Sequence, residues 1–349
     1  MRVFSTLPQE DLRRAGPLAR ALEQAGFDGL VCTENKHDPF MPLAIAGVAT
    51  TRIELHTGIT IAFARSPMVL AVMGWDLAGG TGGRFVVGLG SQIRAHNERR
   101  FSVPWSAPAP RMREYVQALR AIWRCWKTGE TLAYEGAHYR FTLMTPNFTP
   151  EPIAAPAPAI TVAGVGPAMV GVAAEEADGL RLHSFATRKY LEETVMPRVT
   201  AGLAKAGRPR ARFEISGGGF LATGPDDATV AERFEWVRQR VAFYGSTPSY
   251  WPVLAAHGLE DLGQALNQLT RQGRWGDMAA LVKDDVVHLF AAVGRHDQLA
   301  AAIAARFGGL SDTIQASANP EAPADLPPDL VQDLKRLPSA FEGFSAPGP

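Results

Sequence analysis

A parallel α/β fold is what this sequence predicts, built either as a closed (β/α)8 barrel or as an open doubly wound sheet. Two observations carry that reading. Short β-prone apolar runs alternate with amphipathic helical runs from the first residues to about residue 316, the order in which parallel strands and crossover helices follow one another. Eight strand candidates can be picked out in this way. Periodicity does not choose between the two architectures, because both are alternating βα chains.

The elements follow in order. Residues 3–7 read as a first strand. Residues 11–25 place Leu12, Ala15, Leu18, Ala19 and Leu22 at helical spacing, and Gly26 ends that helix. Residues 28–33 form a second strand, from which the polar run Glu34 to Asp38 emerges. Residues 52–61 are the third. Ser66 and Pro67 then supply an N-cap and a first-turn proline for the next helix. Residues 84–89 are the fourth strand, and a helix is expected over 111–127. Residues 134–141 look like a β excursion, and the Pro/Ala-rich stretch 146–158 reads as extended. Further strands are expected at 160–163, 179–183, 213–222 and 310–316, with helices at 169–177, 190–206, 229–244 and 289–307.

The bulk composition narrows the function. Among 349 residues, Lys+Arg and Asp+Glu both number 35, so the formal net charge is zero and there is no basic field for nucleic acid. The two cysteines, Cys32 and Cys125, have neither disulfide-framework nor metal-ligand spacing. The N-terminus lacks a signal-peptide pattern, and no window has the roughly 18 apolar residues of a membrane span. A soluble cytoplasmic protein that acts on a small molecule is expected, with no metal, nucleic acid or membrane partner.

Sites in parallel α/β folds lie at the C-terminal ends of the strands, and four such places stand out. Ala163, Gly164, Val165 and Gly166 follow a strand and open a helix at Pro167, an arrangement suited to a phosphate but equally to a plain tight turn. Gly88, Gly90, Ser91 and Gln92 end the fourth strand, where a flat ring could lie against small residues. Thr57, Gly58 and Ile59 end the third, followed by Arg65, which could simply pair with a rim acid. Glu34, His37 and Asp38, with His183 after the sixth strand, are titratable groups that could exchange a proton. Trp123 and Trp126 fit a core helix face. P-loop, HExxH and GxSxG patterns are absent.

Together the stretches GFDGLVCTENKHDPF, TRIELHTGITIAFARSPMVLA, GGRFVVGLGSQ and ITVAGVGPAMVGVAAEEADGL resemble the bacterial luciferase-like monooxygenase superfamily, most closely its members that use the deazaflavin coenzyme F420. The resemblance covers most of residues 1–183 and is looser beyond. It implies a TIM (β/α)8 barrel, here over 1–318; the residues themselves add a helical insertion at about 246–283, a departure from the family that could shape the substrate pocket or a subunit contact, and a proline-rich tail at 319–349. It further implies that Ala163, Gly164, Val165 and Gly166 hold a cofactor phosphate, and that Thr57, Gly58 and Ile59 lie beneath the ring with a cis peptide at 58–59. Gln92 would approach the ring edge, and Glu34, His37 or His183 would handle the proton. One departure is that the glutamate some relatives carry after the fourth-strand glycines is replaced here by the run Ser91 to Arg94. The expected activity is hydride transfer between coenzyme F420 and a small organic substrate. The alternatives are an FMN monooxygenase fed reduced flavin by a separate reductase, and a barrel that binds a flavin without turnover. Relatives of this kind are commonly homodimers.

Overall fold

The computed structural model describes residues 1–317 and 322–344, so parts of the expected tail, residues 318–321 and 345–349, lie outside the described residues. Eight parallel strands close on themselves: β1 (Arg2–Thr6), β2 (Gly29–Cys32), β3 (Glu54–Thr57), β4 (Phe85–Gly90), β5 (Ala159–Gly164), β6 (Gly179–Leu182), β7 (Glu214–Gly217) and β8 (Thr313–Gln315). Each pairs with the next in sequence, and β8 returns to β1 with Thr313 opposite Arg2. The fold is therefore the barrel and not the open sheet. Two helices start at side-chain caps, of which Ser66 is the one expected from the sequence. Asp11 accepts from the Arg13 amide ahead of Leu12–Gln24, and Ser66 accepts from Met68 ahead of Pro67–Gly80.

The lower interior of the barrel is charged. Arg2 bridges Glu54 at 2.5 Å and Glu214 at 3.0 Å, His56 Nε2 donates to Glu54 at 2.8 Å, and Thr313 donates to Glu214 at 2.5 Å. Burial alone would raise the Glu54 carboxyl, but the His56 hydrogen bond and the Arg2 charge hold it down at about 2. The apolar core lies outside this cluster, where Leu30, Leu55, Leu89, Ile160 and Leu180 meet the helices.

Two sequence expectations change. The strand expected over 213–222 is interrupted at Gly217 and Gly218, which take φ of 83° and 108°, a region open to glycine at little steric cost. Phe220–Gly224 then leaves the barrel and pairs in parallel with Ala291–Arg295. That second partner falls inside the helix expected over 289–307, which is instead a helix ending at Phe290, a strand, and a helix over Leu299–Phe307. The open edge of Phe220–Gly224 overrides a local helical preference. Toward the C-terminus, Pro328–Lys335 packs on β1, and Lys335 reaches Asp28 at 2.8 Å. No helix of the described residues is long and apolar enough to cross a membrane.

The seam between β3 and β4 near their C-terminal ends is held by one hydroxyl. Thr57 Oγ1 donates to the Gly88 carbonyl at 2.9 Å and accepts from the Gly88 amide at 2.8 Å, with no exposure to solvent. Thr57→Val keeps the shape and removes both bonds. It should cost about 2–3 kcal/mol, read as a lower urea midpoint at unchanged slope.

Candidate active site

Because every barrel strand runs the same way, the end of β3 and the turn after β5 lie on one face with only β4 between them. The Gly58–Ile59 peptide at the β3 end is cis. Small residues on β4 make room for it. A Cβ on Gly88 would overlap the Thr57 carbonyl oxygen, and one on Gly90 would stand 2.5 Å from Ile59 Cδ1. Gly58 and Ile59 remain half-buried, forming a ledge at the mouth, while Thr57 is sealed beneath them.

Glu34 fastens that ledge. Its carboxylate accepts from Thr60 Oγ1 at 2.8 Å, the Ile61 amide at 2.8 Å and Arg65 at 2.7 Å, and its own amide donates to the Ile59 carbonyl at 3.1 Å. Arg65 also reaches Asp38 at 3.1 Å, so the rim pairing that the sequence allows for Arg65 is what occurs. His37 stands exposed three residues away. Gln92 adopts a positive φ of 55°, and its side-chain oxygen accepts from the Ile93 amide at 2.8 Å. Among the described residues no cluster of His, Cys, Asp or Glu could hold a metal ion.

The β5 turn is shaped from both sides. A Cβ on Gly164 would lie 3.2 Å from Leu180 Cδ1, whereas Gly166, the N-cap of Pro167–Glu176, faces open space. Tyr190 donates its hydroxyl to the Val165 carbonyl at 2.9 Å. Gly164, Val165 and Tyr190 line a narrow cleft together with His183. The first-turn amides of a helix and its dipole there suit an anionic group, so the open turn fits a phosphate.

His183 is held by a specific set of partners. Its Nδ1 accepts the Phe185 amide at 2.9 Å, which places the proton on Nε2. Its ring stacks on Tyr250 at 4.6 Å between centroids and meets Tyr244 edge-on at 4.5 Å. Tyr250 comes from the region expected to be a helical insertion, so that region contributes a wall of the mouth. Burial pushes the His183 pKa down to about 4, and the ring is neutral near pH 7.

Sequence reasoning passed over Tyr190, Tyr244, Tyr250 and above all Arg181. The signal for Arg181 was a cation at an interior position of the apolar strand GLRL.

A closed (β/α)8 barrel whose third strand ends on a cis ledge, with an anion-suited turn two strands away at the same end, defines the class of the protein. The comparisons narrow that class. The family model described as luciferase-like monooxygenase matches residues 2–313, and an uncharacterized protein of Mycobacterium tuberculosis is 46% identical over 314 residues, covering 90% of this chain and 92% of the relative. A 5,10-methylenetetrahydromethanopterin reductase of Archaeoglobus fulgidus is 29% identical over 286 residues, 79% of this chain and 81% of that one. The structure of the coenzyme F420-dependent tetrahydromethanopterin reductase of Methanopyrus kandleri superposes with a TM-score of 0.76 at 19% identity, covering 96% and 97% of the two chains. This chain belongs to the luciferase-like monooxygenase family.

His183 also sets a pH dependence. Its folded pKa of about 4 lies below the ordinary 6.5, so the unfolded chain binds more protons between those values and folding loses stability as pH falls through that window. The loss should approach about 3 kcal/mol. Denaturant titrations of wild type and His183→Gln between pH 7 and 4 should differ by that slope.

Proposed function

We propose that this protein is an F420-dependent oxidoreductase that exchanges a hydride with a small organic substrate. The observation that carries the reading is placement: the anion-suited turn at 163–166 and the glycine ledge at Gly58–Ile59 lie at the same end of the barrel with β4 between them. That spacing suits a cofactor with a phosphate-bearing tail and a flat head. The reductase relatives named above support the same choice. When bound, the deazaflavin supplies a two-electron hydride donor or acceptor. The chain's residues do the rest. Gly164, Val165 and Gly166 receive the anionic tail with Ala163 beneath them, Gly58 and Ile59 support the ring over Thr57, and Gln92 stands at the ring's edge.

Glu34, held by three donors, is a positioning residue that fixes the ledge and does not shuttle protons. His37 lies at the outer rim. His183 is the group that meets substrate. Neutral and with Nε2–H outward, it donates a hydrogen bond to a substrate carbonyl or hydroxyl oxygen, while Tyr244 and Tyr250 favour an apolar or aromatic body. Removing bulk water from this aromatic mouth also strengthens that single hydrogen bond.

The protein works as a homodimer in the cytoplasm. The helices Phe40–Ala49 and Pro67–Gly80 are apolar on their outer sides as well, leaving Met41, Val48, Val69 and Val72 exposed, a patch suited to self-association. Both cysteines are free and buried, as a reducing compartment allows.

Titrating the purified protein with coenzyme F420 and, separately, with FMN while following ring absorbance tests the reading. F420 should bind, His183→Phe should still bind it within about twofold, and kcat/KM should drop about 100-fold with the loss of a transition-state donor. Binding of neither cofactor ends the proposal. Binding of FMN alone, with oxygen consumed when reduced flavin is supplied, transfers the site to monooxygenation with a partner reductase. Light scattering should give twice the chain mass, and Val48→Glu with Val72→Glu should halve it.

A further inference from the structure

Arg181 sits in the middle of β6, between Leu180 and Leu182, with its side chain inside the barrel. Its surroundings are unusual for a buried cation. Among the described residues, no carboxylate lies within the 4.0 Å that defines an ion pair with it, and its nearest polar contact is Nη2 to His56 Nδ1 at 3.4 Å. Because that histidine donates through Nε2 to Glu54 at 2.8 Å, its Nδ1 is an acceptor, and Arg181 makes one long hydrogen bond to it. Arg181 Nε has no partner, nor do the hydroxyls of Ser216, directly opposite on β7, and Thr161 on β5. Burial lowers the Arg181 pKa, the more distant Glu214 charge opposes this, and Arg2 adds to the lowering.

The guanidinium nonetheless keeps an open side. Arg181 retains accessible surface although enclosed by strands, and Nη1 lies 3.2 Å from where a Cβ on Gly58 would stand. The open side therefore meets the Gly58 ledge from within the barrel. A lone enclosed cation is costly unless an anion or an electron-rich group completes it. Among the described residues a single long hydrogen bond to His56 is the protein's contribution, no carboxylate pairs with the guanidinium, and its Nη1 faces Gly58.

We propose that Arg181 is a cofactor-binding residue, the countercharge for the electron-rich carbonyl edge of a tricyclic ring on the Gly58–Ile59 ledge, and that it favours the reduced ring over the oxidised one. The inference rests on the reading that this ledge seats such a ring. A positive charge beside that edge stabilises the negative charge that grows there on reduction. Arginine serves because it stays charged where a lysine would readily lose its proton. The same logic gives a stability signature. Replacing an unpaired enclosed charge by an apolar side chain of similar volume relieves the ligand-free fold, so the residue trades stability for affinity.

The test compares wild type, Arg181→Met and Arg181→Lys, measuring thermal unfolding without ligand and equilibrium binding of oxidised and reduced coenzyme F420. The Met variant should melt at the same or a higher temperature, bind the oxidised ring within about threefold of wild type, and bind the reduced ring at least tenfold more weakly. Each tenfold of that difference corresponds to about 30 mV in the midpoint potential of the bound two-electron couple. The Lys variant should recover part of the preference only at pH values low enough to keep its buried ammonium charged. Wild type that binds F420 beside a Met variant that binds both forms equally well overturns this inference and leaves the ring seat standing. A Met variant that melts lower and loses both forms alike assigns Arg181 to the scaffold and also overturns it. Wild type that binds neither form removes the ring seat and this inference together.

Discussion

The mouth depends on how closely β3 and β4 approach at the Thr57–Gly88 contact. One hydroxyl serves both backbone groups of Gly88, and no larger residue than glycine fits there. From that clamped point the chain after Thr57 passes over Gly90, and the Ile59 carbonyl accepts from the Glu34 amide. The ledge is thus placed by backbone proximity, and Glu34 with Arg65 locks it from the other side. A side chain on Gly88 would disturb the barrel seam and the site at once, since both are the same contact.

Much of this was legible in the sequence. Strand identity followed from short apolar runs, and Gly26, Ser66 and Pro67 marked helix boundaries with a physical mechanism for each. The turn at 163–166 and the ledge at 57–59 could be named because glycine in those places answers a backbone demand. The helix Phe40–Ala49 escaped because it is apolar on all sides, so it shows no stripe for periodicity to find. The strand Ala291–Arg295 escaped because its partner lies some seventy residues earlier, and a pairing of that range leaves no local mark.

The site was harder to read for a different reason. Glu34 carries the residue type expected of a proton carrier, yet Thr60, Ile61 and Arg65 already donate to its carboxylate and tie it to the chain. His183 has the right type and place, but burial among aromatic rings keeps it neutral. Residue type marked where chemistry could occur, and only the surroundings show what each group touches. Arg181 is the converse case. It is a long cation in an apolar strand, and nothing in the local pattern said that its end would arrive under Gly58 from across the barrel.

The paired strands Phe220–Gly224 and Ala291–Arg295 have one more consequence. They bring the two ends of the intervening segment side by side, so whatever lies between is sewn onto the barrel at a fixed hem. Chain length there can grow or shrink at small entropic cost, and the eight-stranded frame does not register the change. Tyr250 belongs to that segment and touches His183. The residues beside His183 can therefore change with that segment while the Gly58–Ile59 ledge stays where the barrel strands hold it.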